Sequence, residues 1–417
     1  MKSISDIVTT WYYLAVNRTL GRKRRRLIEK IRGRGYANVV FIAPNPTMWR
    51  YQGIYDLMKQ DPRFHVTILL TTFKDYSDAQ NTQNIKALRE YFDSKGVAYH
   101  DTTTWTPDKY NIRDWLDPDI MFYPQPYSRC FGNPLDNRYF KDKLVCFAPY
   151  GFGTVSQPWA LNASFQNIAW KLFYETDVYR DAARKLAYNH GVNVEVVGNT
   201  NADEFLKPEH NDPWKDNSHS MKKVIWAPHF TLTQGLKFNR SGFVWLHEIM
   251  LKLAHEYSDR IQFAFKPHPR LKSVLYELPD WGKERTDSYY QEWSRMPNTQ
   301  LEESAFIDLF MNSDAMIHDC ASFTVEYHYT RKPCLFTTHN IQEIREPLNE
   351  LGRAALDAHY QGNDEDDIRQ FLEQTVLAGN DPKQGEREEF FRKYLLPPKG
   401  NTTAGNIYES IVQSIWN

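Results

Sequence analysis

Four histidines in the second half of the chain share one local setting, each closing a short β-rich run. VIWAPHF carries His229, FAFKPHPR carries His268, AMIHD carries His318 and CLFTTH carries His339. In an open α/β sheet, ligands bind beyond the carboxyl ends of the strands, so imidazoles at such ends are candidates for holding or deprotonating a polar ligand. Around His268, Lys266 and Arg270 alternate with Pro267 and Pro269. Alternation in an extended segment predicts that Lys266, His268 and Arg270 share one side. The prolines fix φ and oppose a helix, which predicts a stiff polar hook suited to a diphosphate. A second cluster, MNSDAMIHDCASFTVEYHYTRKP, predicts a strand ending at Asp319 and a helix capped by Ser322. Free backbone N–H groups at a helix start favour an anionic group. Glu326 stands four residues on, on the same helical face, within reach of a ribose hydroxyl.

Other patterns carry less. Asp117-Pro118-Asp119 matches a metal-binding D-x-D formally, but it precedes a strand and predicts a turn. Cys130, Cys146, Cys320 and Cys334 are scattered without metal spacing and read as reduced core thiols, consistent with a cytoplasmic protein. The strand-end histidines lack ligand spacing. No metal and no cofactor is expected. No P-loop, G-x-G-x-x-G or G-x-S-x-G pattern is present.

The elements that must position these residues alternate between strand and helix. Strands are predicted at Asn38–Ala43, Val66–Thr71, Ile120–Tyr123, Leu144–Ala148, Val194–Val197, Lys223–Ala227, Gln262–Lys266, Ala315–His318 and Cys334–Thr337, with helical periodicity at Asn84–Phe92 and Trp245–Tyr257. Such alternation predicts parallel sheets made of βαβ units. The fold class is α/β, with two Rossmann-like domains facing each other across a cleft. The expected divisions are a basic amphipathic helix over 1–34, a Rossmann-like acceptor domain over 35–198, a Rossmann-like nucleotide-donor domain over 199–375 and C-terminal helices over 376–417. The acidic run Asp364–Asp367 predicts a helix start, where carboxylates suit the positive dipole end.

The chain has 417 residues, 41% hydrophobic and 25% charged, which excludes a disordered or fibrous protein and is long for one core. No segment has the roughly 20 apolar residues of a membrane span, and the start lacks the pattern of a secretory signal. Residues 1–34 hold ten Lys/Arg against two acids, leaving the remainder net acidic. Ile4, Ile7, Val8, Trp11, Tyr12, Leu14 and Ala15 recur near helical spacing ahead of that basic block. An apolar face with a cationic flank suits an anionic membrane surface; packing of the same stripe on the first domain is the competing expectation. Nucleic acid is not expected as a partner, because no second basic patch follows.

In order, IWAPHF, FKPHP and SDAMIHDCASFTVEYHYTRKP resemble the Y-x-P-T, K-x-H-P and S-D-x-L-I-T-D-Y-S-S-x-x-F-E-Y-x-x-x-x-K-P segments of the CDP-glycerol glycerophosphotransferase family, the teichoic-acid-type and capsule polymerases of GT-B fold. The likeness spans roughly 110 residues. It implies a bacterial transferase that moves a polyol phosphate from a CDP-linked donor to a glycan or lipid-linked acceptor, releasing CMP on the inner face of the cell membrane. It places His268 at the diphosphate, with Asp319 and Ser322 near the donor phosphates. This chain departs from the pattern at Ala321, where the family has Ser, and at His229, where it has Thr. The family's His-Gly on the acceptor side has Tyr150-Gly151 as its counterpart. A phenol is a poor base at neutral pH, so His229 is the alternative base. A GT-B glycosyltransferase using a nucleotide sugar and a non-catalytic nucleotide-binding protein are the competing readings.

Overall fold

The computed structural model describes residues 4–105, 112–127, 130–131, 135–215, 220–232, 241–303 and 306–417, without the side chains of Ile4 and Ser5. The chain is α/β and falls into two units. Unit 1 comprises residues 1–151, 157–203 and 396–417; unit 2 comprises 152–156 and 204–395. These divisions differ from the sequence boundaries at both ends. The N-terminal helix belongs to unit 1, and the final helix, Thr403–Trp416, returns to it. The return is driven by burial: Ile407, Ile411 and Ile415 recur at i, i+4, i+8 and enter the unit 1 core. Asp203 caps this helix by accepting the N–H groups of Thr403 and Ala404.

The sheet of unit 1 contains β1 (Ala37–Ala43), β2 (Phe64–Leu70), β3 (His100–Asp101), β4 (Ile120–Tyr123), β5 (Leu144–Phe147), β6 (Lys171–Tyr174) and β7 (Val194–Val196). Its order is 3-2-1-4-5-6-7, with every pairing parallel. Unit 2 contains β8 (Lys222–Ala227), β9 (Ile261–Phe265), β10 (Thr299–Leu301), β11 (Ala315–His318), β12 (Cys334–Thr337) and β13 (Tyr360–Gly362). Its order is 10-9-8-11-12-13, again all parallel. Both sheets are covered on two faces, so their central strands read as continuous apolar runs such as VVFIA and VIWA. Each strand order reverses once, between β1 and β4 in unit 1 and between β8 and β11 in unit 2. At these points the connecting segments leave in opposite directions and open a crevice at the strand ends.

The N-terminal helix runs unbroken from Ile4 to Arg34. Its packed stripe is Tyr13, Leu20, Arg24 and Ile31, with Tyr13 stacked on Tyr188 at 5.6 Å. Part of the basic block is consumed here. The buried Arg24 guanidinium donates to the carbonyls of Lys141, Lys143 and Ile168. Arg34 pairs with buried Asp119, Lys30 with Asp117, and Arg32 donates to the Ile415 carbonyl. The D-x-D pair therefore anchors the end of this helix: Asp119 also accepts from Asn38 N–H, and Asp117 pairs with Lys143 as well. The opposite face is exposed. It carries Ile7, Val8, Trp11 and Leu14, followed by Arg18, Arg22, Arg25 and Arg26. Its apolar stripe is thus not packed on the described part of unit 1; Trp11 is 69% exposed.

Candidate functional site

In unit 2 the reversal point is built by the ends of β8 and β11. Beyond β8 comes His229, and beyond β11 comes Asp319. The Asp319 carboxylate accepts the backbone N–H of His229 at 2.5 Å and of Gly242 at 2.6 Å. Gly242 immediately precedes the helix Phe243–Glu256, so the carboxylate also sits at the positive end of that helix. A side chain on Gly242 would collide with the Trp245 ring, with Nε1 2.8 Å from its added carbon. Burial pushes the Asp319 carboxyl up to about 7, against the pull of these donors and Ser241. Asp319 is fully buried, so it holds the β8 loop in place instead of presenting oxygens at the edge.

On that loop His229 lies beside His268, their ring centroids 4.8 Å apart. Pro228 receives the His268 N–H at 3.0 Å, which ties the β8 and β9 loops together. Phe230 contacts His268 on one side at 4.4 Å, and the Arg270 guanidinium lies 4.4 Å from the Phe230 centroid. His229 Nδ1 is 2.9 Å from Thr231 Oγ1. The Arg270 N–H donates to His268 Nδ1 at 3.1 Å, which fixes the proton of the neutral ring on Nε2. Burial, then Arg270 and Lys266, pull the His268 pKa down to about 4. His268 is therefore a neutral N–H donor at neutral pH and not a cation.

The expected one-sided hook is not formed. Lys266 is buried and donates to the Glu302 carbonyl at 3.3 Å, with burial lowering its pKa to about 8. Arg270 is exposed and has entered a helical conformation that opens Leu271–Glu277. The extended geometry ends at Pro269, where Leu271 N–H turns back to the His268 carbonyl. Ser322 also differs from expectation. It has helical dihedrals, makes no cap bond, and its hydroxyl lies 3.4 Å from Cys320 Sγ. Glu326 is buried, away from a solvent-facing ribose position. Of the four strand-end histidines, His229 and His268 meet. His318 is fully buried against His359, and His339 is exposed against Trp245 at 4.4 Å.

In unit 1 the corresponding edge carries Tyr150 beyond β5, 41% exposed. Phe147 pairs with Leu172, so three residues on Tyr150 and Glu175 leave neighbouring strands at the same level. Sequence reasoning missed Glu175, although a Glu at the end of KLFY and just before a helix was visible as YETD. Its carboxyl is buried with neither oxygen hydrogen-bonded, and burial raises its pKa to about 8. It is a neutral acid at neutral pH. Tyr127 and Trp159, both exposed, stack at 5.9 Å on the same unit.

No protein-family model and no curated protein matches the sequence. Among solved structures, the chain is similar to a putative UDP-N-acetylglucosamine 2-epimerase from Listeria monocytogenes, with 12% identity over 91% of this chain and 97% of that one and a TM-score of 0.58. It is similar to UDP-GlcNAc 2-epimerase from Neisseria meningitidis bound to UDP-GlcNAc, with 14% identity, 90% and 99% coverage and a TM-score of 0.56. It is also similar to a variant of the wall teichoic acid polymerase TagF soaked with CDPG, with 12% identity, 100% and 99% coverage and a TM-score of 0.56. These neighbours are GT-B proteins, and the two all-parallel sheets described above are of that fold.

Proposed function

We propose that this chain is a transferase. It moves a polyol phosphate, such as glycerol phosphate, from a CDP-activated donor to a hydroxyl of a cell-surface glycan or lipid-linked acceptor, and it releases CMP. The observation that carries this reading is the His229–His268 pair at the reversal point of unit 2, backed by Lys266 and Arg270. The motif order of the second half and the likeness to TagF over the full chain support it.

In the proposed step the acceptor oxygen attacks the phosphorus that bears the polyol. A P–O bond forms to the acceptor and the P–O bond to CMP breaks, CMP leaving with the electron pair. The hydroxyl proton passes to a base, for which His229 is the candidate. His268 donates its Nε2–H to a phosphate oxygen, and Lys266 and Arg270 offset the charge on the leaving group. Phosphoryl transfer depends mainly on such positioning and electrostatic stabilisation. Tyr150 is assigned to the acceptor side, with Ser322 and Asp319 ordering the donor side.

The N-terminal helix is assigned to an anionic membrane surface on the cytoplasmic side. Trp11 and its apolar neighbours suit the interface, and each Lys or Arg near an anionic surface adds about 1 kcal/mol. No described helix is long and apolar enough to cross a membrane.

The epimerase neighbours favour a second reading, a GT-B enzyme acting on a nucleotide sugar. Product analysis separates the two. Acceptor-dependent CMP release from CDP-glycerol, lost in His268→Ala, is the expected result. Turnover of UDP-GlcNAc with no CMP release from any CDP-linked donor overturns it.

A further inference from the structure

Behind the candidate site, unit 2 buries three imidazoles and a thiol together. His318, His328, His359 and Cys334 are all 0% exposed. They come from separate places in the chain. His318 ends β11, His328 lies in the turn Tyr327–Thr330, Cys334 begins β12, and His359 precedes β13. One ligand-type atom from each of His328, Cys334 and His359 lies within 4.8 Å of the other two.

The hydrogen bonds decide which nitrogens are available. The Ala355 carbonyl is 2.8 Å from His359 Nδ1 and 3.0 Å from His328 Nε2. A carbonyl only accepts, so both of those nitrogens carry hydrogen. The lone pairs then sit on His359 Nε2 and His328 Nδ1. His328 Nδ1 is buried without a hydrogen-bond partner, a state that costs free energy unless something occupies it. His359 Nε2 faces His318 Nε2 at 2.9 Å. His318 Nδ1 accepts from Cys320 N–H at 3.2 Å, so the shared hydrogen belongs to His318. Metal-bound imidazoles usually donate their second N–H to a carbonyl or carboxylate, which fixes tautomer and ring orientation. Here one helix carbonyl does this for two rings.

We propose that His328, Cys334 and His359 form a structural zinc site through Nδ1, Sγ and Nε2. A thiolate with imidazoles is a zinc donor set. On binding, the Cys334 S–H bond breaks, its proton leaves to solvent, and the sulfur and two nitrogens bond to Zn²⁺ without change of oxidation state. Zinc–ligand bonds of about 2.0–2.3 Å require the donor atoms to draw together around the ion on binding. His318 Nε2 completes a tetrahedron once its hydrogen passes to Nδ1 and the contact with Cys320 opens. The charges that act on these ligands are the buried Arg387 guanidinium, which is paired with Asp381, and Lys383. The site would fasten β11 to β12 and to the segment before β13. Asp319 follows His318 directly, so the metal would brace the residue that holds the His229 loop, without touching substrate.

The test uses the full chain, expressed in zinc-supplemented medium, desalted without chelator and assayed for metal content. About one zinc per chain is expected, falling to background in Cys334→Ser. Cobalt substitution is expected to give the charge-transfer band of a thiolate–cobalt bond and the visible bands of tetrahedral Co²⁺. Should Cys334→Ser fail to fold, the wild-type metal content and the cobalt spectrum decide. Wild type that carries no zinc, and that added zinc neither binds nor stabilises, overturns the site. Copper in place of zinc overturns the metal assignment.

Discussion

Glu175→Gln isolates the cost of a buried acid at the edge of unit 1. The Glu175 carboxyl is fully buried, neither oxygen is hydrogen-bonded, and its pKa is raised from 4.5 to about 8 because burial disfavours the charged form. The folded protein therefore holds this proton more tightly than the unfolded chain. Stability linked to the group is fully present below pH 4.5 and is lost as pH rises through about 8. Each pH unit in which the unfolded carboxyl is ionised and the folded one is not costs about 1.4 kcal/mol, so the loss approaches roughly 5 kcal/mol at the upper end, as an order of magnitude. Glutamine keeps the shape and cannot ionise. Its amide is also left without partners, a cost that is independent of pH. The readout is accordingly the slope. Urea unfolding of both proteins at intervals from pH 5 to pH 8.5 is expected to show Glu175→Gln gaining on wild type steadily, by several kcal/mol in total. A wild-type-minus-variant difference that stays flat over that range refutes the burial argument for Glu175.

The remaining expectations are briefer. His268→Ala lowers turnover about 10²–10³-fold, the typical cost of one charge-stabilising donor, with little change in melting temperature. Because His268 stays neutral above about pH 4, His268→Asn keeps the shape of the kcat/KM profile between pH 5 and 8 while lowering its height; a lost acid limb would assign that limb to His268. Arg24→Ala strips three carbonyls of their shared donor and costs about 3 kcal/mol by urea unfolding, whereas Arg22→Ala on the exposed face costs almost nothing. Trp11→Ala combined with Arg18→Glu and Arg22→Glu abolishes co-flotation with anionic liposomes at low salt, and flotation equal to wild type refutes the membrane face.

Local pattern was enough for most central strands. IMFY, AMIH and CLFT were legible to the residue, since a short apolar run between turn residues has few other outcomes in a two-sided sheet. The strands that escaped were KLFY, HD, TQL and YQG. Three of these are two- or three-residue edge strands whose pairing is decided by a neighbour. KLFY hides because Lys171 is buried in an ion pair with Glu195, a contact made across β6 and β7. The acidic start at Asp364 was legible because its cap is local: Asp364 accepts from Asp367 N–H. The basic block over 1–34 was not, because the partners of Arg24 are carbonyls more than a hundred residues away.

The four strand-end histidines show where the legible part stops. Three of them follow their strands by two or three residues, and the fates of those three divide according to sheet order, while His318 is the last residue of its own strand. His229 follows β8 by two residues and His268 follows β9 by three, and β8 and β9 are neighbours, so the two loops meet. His339 also follows its strand by two residues, but β12 lies two positions from β8. At about 4.8 Å per strand spacing, that places its loop roughly 10 Å from the β8 loop, where it rests on Trp245 instead. His318 is still paired within β11, opposite Ala227 and Phe336, so it is buried in the sheet rather than released at the edge. A residue's distance from the end of its own strand is written in the sequence. Which other strand lies beside it is set by long-range pairing, and in unit 2 that pairing is what separates a candidate catalytic imidazole from one held in the interior.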